Sequence, residues 1–230
     1  MTELRILPLT GIPEVRPGDD LIALIGDALE RAGGLEEGDV VVVAQKVVSK
    51  AEGRLEEADD VVEVVLREAR VVRRRRGDLV IAETEHGFVC ASAGVDRSNT
   101  PGDRWVVLLP KDPDASAARV REGLAARFGV APAVIVSDSF GRAWRQGTTD
   151  VAIGVAGMLP LLDLRGTADA RGRILASTVI AVADELAGAA ELVMGKASGV
   201  PAALVRGYAV PGGEGSARDL VMPPDRDLFP

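Results

Sequence analysis

Val134-Ile135-Val136-Ser137-Asp138-Ser139-Phe140-Gly141-Arg142-Ala143-Trp144-Arg145-Gln146-Gly147-Thr148-Thr149 is the stretch on which the reading of the fold turns. It opens as a short apolar, β-branched run, the pattern of a buried strand. The strand delivers Asp138 and Ser139 at its C-terminal end, and Gly141 breaks the pattern directly afterwards. A carboxylate and a hydroxyl are hard oxygen donors, suited to Mg2+ or Mn2+. Arg142 and Arg145, backed by Gly147, Thr148 and Thr149, add two guanidiniums and a small-residue turn of the kind that receives a polyphosphate or a carboxylate. The competing reading is an ordinary Asp-capped turn with its arginines on a solvated face.

Upstream of this stretch the chain reads as alternating strands and helices. Leu4 to Leu9 predicts a first strand, broken by Gly11-Ile12-Pro13. Leu21, Leu24, Ile25, Ala28 and Leu29 share one helical face, with Asp19 or Asp20 as cap and Gly33-Gly34 as stop. Val40 to Ala44 is apolar on both faces and therefore predicts a central strand. Gln45 to Arg54 follows it with two lysines, a serine and an arginine, either a second anion site or an edge strand with alternating polar residues. Asp59 or Asp60 opens a helix through Ala69, whose carbonyl end the basic run Arg73 to Arg76 would complement. Leu79–Ala82 and Phe88–Ala93 read as strands around a turn holding His86, the single histidine, which in such a place is usually exposed. Cys90 reads as a small core residue. Asp96 and Asn99 then leave a strand end into a turn rich in Ser, Asn, Pro and Gly, offering further oxygen ligands. Asp112-Pro113-Asp114 starts a helix striped by Val120, Leu124 and Phe128 and stopped by Gly129.

Downstream, Val151 to Leu162 is small and apolar, and Asp163 to Arg173 is a polar connection. Ile174 to Ala183 passes from strand into a helix carrying Asp184 and Glu185 and ending near Met194. Gly195-Lys196-Ala197-Ser198-Gly199 is a Gly-bounded basic loop of the type that lets backbone N–H groups approach phosphate. It lacks the spacing of a P-loop. Ala202 to Val205 is a last strand, and the Gly/Pro-rich end from Gly212 reads as a surface segment.

Composition narrows the function. A length of 230 residues suffices for an ample core, and with few aromatics that core must be Val, Leu, Ile and Ala. The net charge of −8 disfavours a nucleic-acid or anionic-membrane binder, leaving Arg73–Arg76 as weak support for the former. A lone Cys90 excludes an intrachain disulfide, which fits a reducing cytoplasm. Met1 to Thr10 lacks the features of a signal peptide, and the longest uncharged run is too short to span a bilayer. The expectation is a cytoplasmic protein with no membrane and no nucleic-acid partner.

Six segments, in order, carry a resemblance that the isolated patterns do not. Gly11-Ile12-Pro13 with Arg16-Pro17-Gly18-Asp19-Asp20, Lys46-Val47-Val48-Ser49-Lys50-Ala51-Glu52-Gly53-Arg54 and Ala93-Gly94-Val95-Asp96-Arg97-Ser98-Asn99 are three of them. Leu109-Pro110-Lys111-Asp112-Pro113-Asp114, Ser137-Asp138-Ser139-Phe140-Gly141-Arg142 and Val182-Ala183-Asp184-Glu185 are the others. Together they resemble the coenzyme F420-0:L-glutamate ligase family over nearly the whole chain.

That resemblance implies a GDP-forming ligase that uses GTP and a divalent metal (Mg2+ or Mn2+, with K+ as a further cation) to add L-glutamate to coenzyme F420-0. GTP would convert the precursor's carboxylate to an acyl phosphate, and the glutamate amine would displace phosphate; later glutamates would be γ-linked. It further implies that Ile12, Pro13, Glu14, Val15, Gln45, Lys50 and Asn99 contact GTP, together with Gly195, Lys196, Ala197, Ser198 and Gly199. Asp96 and Asp138 would hold one metal and Ser139 a second, with Asp96, Asp138 and Arg142 catalytic. Gln45 stands where relatives often have Ser, Ser139 where Thr is common, and the 195–199 loop matches poorly. The implied fold is α+β, with mixed and antiparallel sheets, flanking helices and an intertwined homodimer around a shared sheet. Residues 1–230 would form a single ligase domain without the flavin-binding reductase domain of some relatives. The alternatives are another nucleotide-dependent acid–amine ligase and a non-catalytic GTP-binding module.

Overall fold

Valines at positions 40 to 43, none of them exposed, form the middle of the main sheet in the computed structural model, which describes residues 3–228. In chain order the elements are β1 (Arg5–Pro8), α1 (Leu21–Arg31), β2 (Val40–Ala44), α2 (Gln45–Ala51), β3 (Leu55–Glu57) and α3 (Val61–Glu68). Then come β4 (Ala69–Arg76), β5 (Leu79–Thr84), β6 (Val89–Ala91), β7 (Trp105–Val107), α4 (Pro113–Phe128), β8 (Ala133–Arg142) and β9 (Arg145–Ala156). The chain finishes with β10 (Leu162–Asp163), β11 (Val179–Ile180), α5 (Val182–Met194) and β12 (Ala202–Arg206).

The main sheet has the order β1-β12-β2-β8-β9. Only β2 and β8 run parallel, Val40 opposite Ala133 through Ala44 opposite Ser137, so β2 ends beside the middle of β8. The other pairings are antiparallel. Burial on both faces explains the unbroken apolar runs of β2 and β8. Helices α1, α4 and α5 bury Leu29, Leu124 and Ala187 in the same core. A smaller core, with Val64, Val80 and Val106 at its centre, joins α3 to the β4-β5-β6 and β3-β7 sheets. The α+β class with mixed sheets and flanking helices is thus as expected.

Four local expectations change. Gln45–Ala51 is a helix rather than an edge strand, and it buries Val48, Ser49 and Lys50 against the core. Arg73 to Arg76 lie on strand β4 and not at a helix end: α3 stops at Glu68, and Gly77 at φ +60° closes a tight hairpin with Arg76 opposite Leu79. Arg73 Nη2 reaches Glu83 at 2.7 Å and Arg70 binds the same carboxylate, so the basic run is partly anchored. His86 is half-buried, not simply exposed: Nε2 contacts the carbonyl oxygens of Pro110 at 3.0 Å and Lys111 at 3.1 Å, and its ring stacks on Phe88. Finally, β8 does not end at Ser139. It continues in register with β9 through Phe140 opposite Thr149 and Gly141 opposite Thr148, because Thr148 and Thr149 supply a β-branched partner strand.

The segment after Gly212 is tied down rather than loosely draped. Asp114 Oδ2 accepts from Ser216 Oγ at 2.6 Å, and Oδ1 accepts from the N–H groups of Ala217 at 3.0 Å and Val155 at 2.8 Å.

Candidate active site

The parallel pair β2 and β8 sets the position of the site, because β2 ends at Ala44 beside Ser137 while β8 runs on past it. β2 passes straight into α2, placing Gln45 and Lys46 in the first helical turn. Opposite them, β8 presents Ser137, Asp138 and Ser139, with a bulge against β9 between Val136 and Ser137. Bulges beside a site commonly redirect side chains toward it. The register places Asp150 of β9 opposite Ser139.

These residues line a cavity of about 340 Å³. Ile12 to Val15, Gln45, Lys50 and Asn99 are on its wall, as are Gly195, Lys196, Ala197 and Gly199. The Gly-bounded loop and the N-terminal segment therefore line one cavity. A second hollow of about 400 Å³ adjoins it, sharing Glu14, Val15, Lys50 and Asn99. Asp138 and Ser139 also line the first cavity. Asp96 is not on the wall itself but pairs with Lys46, which is, with Nζ 2.7 Å from Asp96 Oδ2. The other Asp96 oxygen accepts the Ser98 N–H at 2.6 Å.

Two residues lie elsewhere. Arg142 is exposed at the far end of the β8–β9 hairpin, with Nη2 3.5 Å from the Gln146 carbonyl. Four further residues of continuous strand carry it roughly 13 Å beyond Asp138. Ser198 turns its hydroxyl onto the Met194 carbonyl and does not face the cavity. Three further polar residues on the wall are given no role from the sequence: Ser137, Asp150 and Glu191. Asp150 is picked out only once the β8–β9 register places it opposite Ser139, and Glu191 carried no signal beyond its place on α5.

Electrostatics set the chemistry. Burial pushes the Asp138 carboxyl up to about 7, and the charges of Asp96 and Asp150 push the same way, against the Ser139 N–H and Lys46. Burial also raises Asp150, opposed by the Ser137 hydroxyl at 3.0 Å. Asp96 is lowered despite the opposing effect of its own burial, through its bonds from Lys46 and Ser98. The cavity is thus an oxygen-rich pocket short of positive charge at Asp138. Lys50, 4% exposed and paired with Glu14, and Gln45, whose buried Nε2 has no hydrogen-bond partner, add donors on the same wall.

The donor set fits a hard divalent cation. Among the described residues no group of three or more His, Cys, Asp or Glu is arranged for a metal. Magnesium-type ions need no such cage, since one or two carboxylates suffice when substrate phosphates and water complete the shell. Asp96 and Asp138 would hold one such ion, and the Ser139 hydroxyl would serve a second. None of the helices in the described residues is long and apolar enough to cross a membrane.

Comparison with known proteins supplies the family. Residues 11–207 match the family described as F420-0:Gamma-glutamyl ligase. The chain is 41% identical to the coenzyme F420:L-glutamate ligase of Methanothermobacter thermautotrophicus, over 98% of each chain. It is 44% identical to that of Methanopyrus kandleri, covering 98% of this chain and 97% of the relative. Identity to the Methanocaldococcus jannaschii ligase is 40%, over 85% of this chain and 86% of the relative. With a family match across most of its length and near-full-length relatives at this identity, the chain belongs to the F420-0:gamma-glutamyl ligase family.

Proposed function

We propose that this ligase consumes GTP and a divalent metal to join the amine of L-glutamate to the terminal carboxylate of coenzyme F420-0, in F420 biosynthesis. The observation that carries this reading is the convergence of Lys50, Lys46, the 195–199 loop, Asp138 and Ser139 on one cavity. An anionic polyphosphate and its cation need that combination of charges in one place.

In this reading a carboxylate oxygen of F420-0 attacks the γ-phosphorus of GTP and GDP leaves. The glutamate nitrogen then attacks the acyl carbon, phosphate departs, and the amine proton is lost to water. The reaction depends on charge neutralisation and alignment more than on a protein nucleophile. Lys50 and the backbone of the 195–199 loop hold phosphate oxygens, and Gln45 Nε2 donates to the nucleotide. Asp96 and Asp138 would hold one divalent cation and the Ser139 hydroxyl would serve a second, and such an ion when bound would neutralise charge developing on the transferred phosphoryl group. The adjoining hollow beside Arg16 and Thr100 gives room for the rest of the substrates. We place the enzyme in the cytoplasm as a homodimer, with K+ as an additional cation.

The test is incubation of the chain with GTP, Mn2+, F420-0 and glutamate, followed by mass spectrometry. One added glutamate per acceptor, with GDP released over many turnovers only when both acceptor and glutamate are present, supports the reading. Nucleotide binding without turnover would overturn it in favour of a non-catalytic module.

A further inference from the structure

Lys46 is the cationic centre of this site. It opens the first turn of α2, with its side chain 16% exposed, and Nζ sits 2.7 Å from Asp96 Oδ2 and 2.6 Å from Ser98 Oγ. Its charge also acts on Asp138, Asp150 and Glu191, so one ammonium faces carboxylates from three further elements of the chain. The same side chain lines the cavity.

An ammonium seated on Asp96 Oδ2 and a divalent cation on that carboxylate exclude one another. Like charges a few ångströms apart in a water-poor site repel by far more than thermal energy. A displaced ammonium left unpaired in the cavity would itself be costly. Lysine carries its charge on a flexible four-carbon stem, so Nζ can change partner while the α2 backbone stays in place. The partner that the cavity can receive is an anion, and a nucleotide polyphosphate is the one that arrives with the metal.

We propose that Lys46 couples the two ligands: seated on Asp96 it guards the cation position, and when a divalent cation takes that carboxylate it passes to the polyphosphate. This rests on the proposed assignment of Asp96 to the metal and of the cavity to the nucleotide. Metal binding alone must break the Lys46–Asp96 pair without a replacement. Metal binding with nucleotide present gives Lys46 a new partner. Each ligand therefore tightens the other, and by linkage the factor is the same in both directions.

The experiment measures Mn2+ dissociation constants by electron paramagnetic resonance for the wild-type chain, Lys46→Gln and Lys46→Arg. Each is measured without nucleotide and with a non-hydrolysable GTP analogue. Lys46→Gln is expected to bind Mn2+ alone about threefold or more tighter than wild type, and to lose roughly fivefold or more of the enhancement that nucleotide confers. Lys46→Arg, which keeps the charge, should not gain affinity for Mn2+ alone. Equal or weaker binding of Mn2+ alone by Lys46→Gln would overturn the proposal, since a residue that merely props Asp96 in place would give that result. Wild-type protein that binds neither Mn2+ nor nucleotide would instead overturn the site assignment beneath it. If Lys46→Gln melts well below wild type, Lys46→Met, which keeps the apolar stem, carries the same comparison.

Discussion

Asp96 and Asp138 stand close enough for the charge of one to oppose ionisation of the other. They come from different elements, Asp96 from the turn that bridges to Val107 and Asp138 from β8. Burial dominates at Asp138 and carries its carboxyl up to about 7. Asp96 escapes the same fate because Lys46 and the Ser98 N–H hold it ionised. Two carboxylates, one of them destabilised by its surroundings, describe a place prepared for added positive charge.

The pH dependence of metal-free protein follows from that raised value. A carboxyl that binds its proton more tightly when folded contributes stability at low pH and loses it as pH rises through the folded value. Between about pH 5 and pH 8 the melting temperature of metal-free wild type should therefore fall, and Asp138→Asn should remove most of that slope. At about pH 8 the variant should melt roughly 5 °C higher, reflecting on the order of 2 kcal/mol relieved. Calorimetry across the range checks this, and an unchanged slope in Asp138→Asn would count against it.

Gln45 sets stability against function. Its side-chain oxygen accepts from Ser49 Oγ at 2.9 Å, while Nε2 is buried without a partner. An unmet donor costs about 1–3 kcal/mol, and since Gln45→Met alone would strip the buried Ser49 hydroxyl of its acceptor, it is Gln45→Met combined with Ser49→Ala that should melt no lower than wild type. The same change should weaken nucleotide binding about tenfold, because the ligand loses that donor. Isothermal titration with GDP and Mn2+ reads the second effect.

Arg206 is a test of the scaffold. Nε lies 2.8 Å from Asp39 Oδ1 and Nη2 2.6 Å from Oδ2, while Asp39 is 1% exposed. Arg206→Met would leave a buried charge with one remaining donor, the Glu36 N–H at 2.7 Å, and should cost about 3 kcal/mol. Urea unfolding measures it, and adding Asp39→Asn should recover part of the loss.

Gly154 is required by the approach of α4. A methyl group there would lie 2.3 Å from the Pro113 carbonyl oxygen, a backbone atom that cannot turn aside. Gly154→Ala should cost about 2 kcal/mol or more, since the helix must shift off β9. Urea unfolding of this variant beside Gly141→Ala, where a methyl meets nothing within 4 Å, isolates the steric effect.

The sequence disclosed those elements whose periodicity was their own. Four buried valines, the α1 stripe capped by Asp20 and the α4 helix between Asp112 and Gly129 were all legible. It misled where a partner strand decided the outcome. Arg73 to Arg76 became a strand because Leu79–Thr84 lies across from it, and β8 outran Gly141 because Thr148 and Thr149 pair with it. For the site, residues at the end of β2 and where the apolar run of β8 gives out were readable, since burial stops where polar groups begin. Asp150 and Glu191 were not, because their part depends on β9 register and on the packing of α5.

The most direct test of a shared cation is Mn2+ binding to wild type, Asp96→Asn and Asp138→Asn in the presence of GTP, read by electron paramagnetic resonance beside turnover and circular dichroism. Each variant should keep its fold, bind Mn2+ about a hundredfold or more weakly and form no glutamylated product. Variants that bind Mn2+ and turn over as wild type does would show that the two carboxylates do not hold the metal.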